Sequence, residues 1–110
     1  MVTFSQLAVD RGDIMRRLAG QLVDAAGSIG ANLEEAADAQ SKADFIHKNC
    51  LALKEARETR FWLRLISASD PQMRPPAAPL IQESVELIAI LTAIVVRAKR
   101  SKRRGGPNSA

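Results

Sequence analysis

SKADFIHKNCLALKEARETRFWLRLIS, residues 41–67, is the stretch on which the fold turns. It is the longest uninterrupted helical pattern in the chain, with no Gly or Pro inside it. Ser41 followed by Asp44 reads as a helix start: the serine oxygen can accept an orphan N–H of the first turn, and the acid faces the positive end of the helix dipole. Apolar positions recur at helical spacing at Ile46, Cys50, Leu53, Ala56 and Leu63, with a flanking row of Phe45, Ala52, Leu65 and Ile66. Lys54, Arg57 and Arg64 stand against Glu55 and Glu58 on the other side. At ~1.5 Å per residue the helix runs about 40 Å. An apolar stripe of that length needs neighbours of similar length to bury it, which points to a bundle.

The remaining composition agrees. A chain of 110 residues predicts one domain. Its 46% hydrophobic residues exclude a disordered chain, and 4% aromatics favours helices over a β-sandwich. The single cysteine, Cys50, excludes an intrachain disulfide and lies on the apolar stripe as a packed thiol. Cys50 and His47 have no second pair, so neither a metal site nor a cofactor is expected. Met1–Val9 lacks the basic and apolar blocks of a secretion signal, and the most apolar run, Leu87–Val96, is shorter than the ~20 residues of a bilayer span. The chain reads as soluble and cytoplasmic, with no membrane partner and no small-molecule substrate.

Outward from the long helix, Ile14, Leu18, Leu22, Ala25, Ile29, Leu33 and Ala36 form a coiled-coil-like seam. The helix carrying them starts after an Asp10–Asp13 break, with Asp13 as its N-cap, and ends near 37–40. Gly20, Gly27 and Gly30 inside it suggest close approach of a neighbouring backbone, since each otherwise costs ~1 kcal/mol relative to Ala. Residues 67–79, with four prolines, read as a loop before a last helix starting between Pro76 and Leu80. Residues 1–100 form the bundle domain, and 101–110 a basic, disordered tail.

Charge is uneven. Residues 1–96 hold ten bases against twelve acids. Six bases and no acid follow: Arg97, Lys99, Arg100, Lys102, Arg103 and Arg104. Such a cluster suits a phosphate backbone, the bland reading being a solubilising tail. Arg57, Arg60 and Arg64 form a second basic stripe at i, i+3 and i+7, read either as a solvated face paired with Glu neighbours or as a phosphate-facing surface.

Two stretches carry a family resemblance. Ser28, Ile29, Asn32, Leu33, Glu35 and Ala36 match one motif. Phe45, Ile46, Lys48, Leu51–Ala56, Glu58, Thr59 and Phe61–Leu63 match a second. Together the sequence resembles the four helix bundle proteins related to those encoded in intervening sequences of bacterial 23S rRNA genes. The resemblance implies an all-α, antiparallel up-and-down four-helix bundle that assembles into a ring, commonly a pentamer, with no enzymatic activity. A related branch serves as the accessory protein of diversity-generating retroelements, binding nucleic acid and a reverse transcriptase. Only twenty residues precede Gln21, fewer than the family's long first helix needs, so the first helix is expected to be shortened.

Ser28, Asn32 and Glu35 share one helix face, and Glu58 and Thr59 are the matching polar residues of the long helix. A hydrogen-bonded network of Ser28, Asn32, Glu35 and Glu58 that fixes helix register is the expected role. No nucleophile, partner histidine or oxyanion donor accompanies these carboxylates, so no catalytic residue is assigned. The function expected is a non-enzymatic homo-oligomer that binds RNA or DNA through its bases, beside a protein partner. A protein-interaction scaffold without nucleic acid is the alternative.

Overall fold

The computed structural model describes residues 2–104. Four helices follow in order: α1 (Val2–Val9), α2 (Asp13–Ala37), α3 (Lys42–Ser69) and α4 (Arg74–Arg104), with a 3-10 turn at Pro71–Met73. They form an all-α, antiparallel up-and-down four-helix bundle with a short first helix, 54 × 20 × 17 Å in extent.

α3 is the spine, packed against α2 and against α4. Its start is the expected one: the Ser41 side chain accepts the Asp44 N–H at 3.1 Å. Ala52, Ala56, Leu63 and Ile66 are wholly enclosed, while Ile46 and Cys50 are only half-buried. The buried face thus runs between the two apolar rows of the sequence, because neighbours on both flanks draw in residues from each. Cys50 is consequently a partly exposed thiol and not a fully packed one.

The core changes along the bundle. At one end Phe4 and Ala8 of α1 close over Met15, Ala19 and Leu22 of α2, Leu63 and Ile66 of α3, and Met73 and Ala77. At the other, Ile29, Ala52, Leu53, Ala56 and Leu91 come from three helices alone. The short first helix, about 12 Å long, therefore completes a four-helix cross-section at one end only.

The seam of α2 holds at Leu22, Ala25, Ile29 and Ala36, with Leu18 and Leu33 half-buried. It fails at Ile14, which is 71% exposed. Met15 and Ala19 are buried in its place, where α1 turns that end of α2 toward itself. The N-cap is Gly12, whose φ of 118° favours glycine, and Asp13 lies in the first turn. Gly20, Gly27 and Gly30 are exposed, with nothing within 4 Å of where a β-carbon would stand. The expected close approach of a backbone does not occur within this chain, because those positions face outward.

The expected loop over residues 67–79 is largely helical. α3 continues to Ser69, Asp70 breaks it, and α4 begins at Arg74. Pro75 and Pro76 fall in the first turn of α4, where N–H groups have no helical partner to lose. Pro79 gives up one bond inside the helix. Asp70 makes the corner. Its Oδ1 accepts the Gln72 N–H at 3.0 Å, and its carboxylate takes both Arg11 Nε (2.6 Å) and Arg11 Nη2 (3.1 Å). Arg11 Nη1 also reaches Gln72 Oε1 at 3.0 Å. This fork ties the α1–α2 turn to the α3–α4 corner.

α4 also runs further than expected at its other end. Residues 101–104 are helical, because no Gly or Pro intervenes before Gly105 and basic side chains suit the negative end of a helix dipole. The rest of the expected tail, residues 105–110, lies outside the described residues.

The hydrogen bond from Arg11 is the main cause that holds the Asp70 carboxyl below its ordinary pKa, with the Gln72 N–H and the Arg11 charge adding to it against a desolvation penalty. A carboxyl whose pKa is lower folded than unfolded stabilises above the unfolded value and loses that contribution as pH falls through the folded one. Asp70→Asn should therefore melt below wild type at neutral pH, the gap closing as pH drops below about 4. Melting curves across that range check this, and a gap that stays constant into acid contradicts it.

Candidate nucleic-acid interface

The bases singled out in the sequence fall on two separate surfaces. Lys42 Nζ lies 3.2 Å from Ser101 Oγ, so α4 passes the start of α3 at about Ser101. Lys102 and Arg103 are exposed beyond it, and Arg97, Lys99 and Arg100 are exposed just before it. Arg97 and Arg100 share an open cleft of about 750 Å³ on α4 with Ile90, Ala93, Ile94, Val96 and Ser101.

The second surface is on α3, where Arg57, Arg60 and Arg64 lie in a cleft of about 490 Å³ with Phe61, Leu65 and Ala68. Arg57 is fifteen residues along α3 from Lys42, so about 22 Å of helix separates this surface from the tip of α4. The structure groups the bases within each set and does not bring the sets together.

The described ion pairs are Arg11–Asp70, Arg16–Asp13 and Lys48–Glu35. None involves Arg57, Arg60, Arg64 or the described bases of the α4 tip. The reading of the stripe as paired with its Glu neighbours is thus not realised. Glu58, the nearest acid, instead accepts Trp62 Nε1 at 3.4 Å.

The polar residues expected to form a network are each engaged elsewhere. Ser28 Oγ donates to the Asp24 carbonyl (2.8 Å) and Asn32 Nδ2 to the Ser28 carbonyl (2.9 Å), one turn back along α2. Glu35 Oε2 accepts Lys48 Nζ at 2.9 Å, joining α2 to α3. That hydrogen bond, with the Glu35 charge behind it, raises the Lys48 pKa. Among the described residues the one hydrogen bond within this set is that local bond from Asn32 to the Ser28 carbonyl on α2, and none joins Glu35 and Glu58 to it or to each other, so register is not set by a network shared between helices.

The polar groups that are buried are Asn49, Thr59 and Ser84. Each satisfies itself on its own helix: Asn49 Nδ2 on the Phe45 carbonyl, Thr59 Oγ1 on the Glu55 carbonyl, and Ser84 Oγ on the Ile81 carbonyl. Asn49 and Ser84 had no signal in the sequence beyond their place on an apolar face.

A model of the 23S rRNA-intervening sequence proteins matches residues 13–93. The chain belongs to that family. The match takes in α2, α3 and most of α4, including Arg57, Arg60 and Arg64, and ends before Arg97. A solved structure of a protein of unknown function from the S23 ribosomal protein family of Bacteroides thetaiotaomicron VPI-5482 is 34% identical, with a TM-score of 0.76 over 86% of each chain. No curated protein matches. Family membership thus covers the three long helices and the basic stripe of α3, while the tip of α4 lies outside the match.

With no hydrogen bond between them, Glu35 and Glu58 should act independently. Glu35→Ala and Glu58→Ala are expected to lower stability additively, within about 0.5 kcal/mol, in a double-mutant cycle. A coupling of ~1 kcal/mol or more would restore the network.

Proposed function

We propose that this chain is a non-enzymatic, oligomeric helical-bundle protein that binds RNA or DNA through its exposed bases. The observation that carries this reading is the set of uncompensated cations. Arg57, Arg60, Arg64, Arg97, Lys99, Arg100, Lys102 and Arg103 hold no ion pair among the described residues, although the chain has twelve acids. A run of such cations gains by displacing counterions from a polyanion. Membership in a family named for 23S rRNA intervening sequences supports the same direction.

Self-association is supported by α4. An eighteen-residue window within residues 71–103 has a mean hydropathy of 1.8, yet only 17% of it is buried. By length and composition that helix could cross a bilayer. α3 lies along it, however, with nine Lys, Arg, Asp and Glu residues over its length. Taking the pair into hydrocarbon would strand those charges. Copies of this chain covering Val85, Ile90 and Val96 are the better use of the face. The competing reading, a protein-interaction scaffold, requires no affinity for polyanions.

Neutralising Lys102, Arg103 and Arg104 together by Ala should weaken duplex binding and reduce the log–log salt slope by about 2–3 per chain, since each phosphate contact contributes ~0.9. Anisotropy titrations at several salt concentrations measure it, with melts to show that the bundle stays folded. Unchanged affinity and slope would make the tip a bystander.

A further inference from the structure

Phe61 is 55% exposed, whereas Leu53, Leu63 and Ile66 of the same helix are buried. It is surrounded by cations. Arg57, Arg60 and Arg64 stand at −4, −1 and +3 from it, and Leu65 and Ala68 extend the floor of the same cleft. The ring is also held. Trp62 meets it edge to face, with centroids 5.0 Å apart and planes at 76°, and Trp62 is itself fixed by its hydrogen bond to Glu58. No acid lines the cleft.

We infer that this cleft takes an unstacked nucleobase of a single strand, laid on Phe61, with the flanking phosphates on Arg57, Arg60 and Arg64. The inference rests on the reading of the chain as a nucleic-acid binder and adds a preference to it. Phosphate contacts alone position a strand without regard to whether its bases are paired. An open aromatic ring among arginines adds a term that only an accessible base can satisfy, because every base presents a π-face and a paired, stacked one does not offer it. Three like charges around one ring also disfavour the same patch of a second copy as occupant, since that contact would oppose arginines to arginines.

The test compares three labelled probes of equal length: a single-stranded oligodeoxyadenylate, an abasic strand with the same phosphates, and a duplex. Wild type should prefer the oligodeoxyadenylate to the abasic strand by about 5- to 150-fold, the range of one base–aromatic stack. Phe61→Ala should remove that preference while leaving abasic and duplex affinities and the melting curve as they were. Phe61→Trp should retain it. A matching oligoadenylate RNA shows whether the sugar matters, and the inference requires the base preference on at least one of the two. Equal wild-type affinity for base-bearing and abasic strands overturns the stacking site while leaving the proposed function standing. Binding to none of the probes overturns both. A fall in molar mass by light scattering on Phe61→Ala overturns it in favour of a contact between copies.

Discussion

The close contact of α3 with helices on two flanks is the constraint from which the rest follows. It is built from alanine. Ala52 and Ala56 are wholly enclosed on α3, where Ile29 of α2 and Leu91 of α4 pack with them. Small side chains let helix axes approach toward the short end of the ~8–10 Å range, and large residues above and below then lock the pair. A helix packed on two sides keeps only a strip of its surface. On α3 that strip holds Arg57, Arg60, Phe61 and Arg64, so the geometry that builds the core also decides which side chains remain for a partner.

Much of this was legible in residues 41–67. A capping serine, an acid at the first turn and apolar recurrence without Gly or Pro are local signals, and the structure keeps the helix they describe. The seam of α2 was legible for the same reason. The failures arose where tertiary contacts decide. Ile14 and Met15 are adjacent apolar residues, and only the placement of α1 selects Met15. Asp70 and Arg11 are far apart in sequence, so nothing local marks them as a clamp. The prolines after Asp70 misled because a helix's first turn does not need the N–H groups that proline lacks.

The candidate site divides in the same way. That the bases concentrate in two runs could be read directly. The stripe's freedom from its glutamates was also within reach of helix geometry, since Glu58 is one and two residues from Arg57 and Arg60, spacings that do not face each other, and four from Trp62, whose ring nitrogen it takes. Spacing does not reveal that Phe61 is turned outward. The chain's charge is also split within one end of the bundle. Glu34, Glu35, Asp38 and Asp44 gather in a shallow acidic hollow beside the α2–α3 turn, while the basic tip of α4 passes the start of α3 at that same end. A polyanion approaching there meets attraction on α4 and repulsion near α2, which orients it away from the acidic corner.

The most direct test of this account is an arginine side-chain NMR spectrum, reading the Nε–H group of each arginine as single-stranded nucleic acid is added. The account predicts that the resonances of Arg57, Arg60, Arg64, Arg97, Arg100 and Arg103 move, while Arg11, already held in its fork by Asp70, stays in place. Uniform small changes across all arginines, Arg11 included, or movement confined to arginines outside the two surfaces, would contradict it.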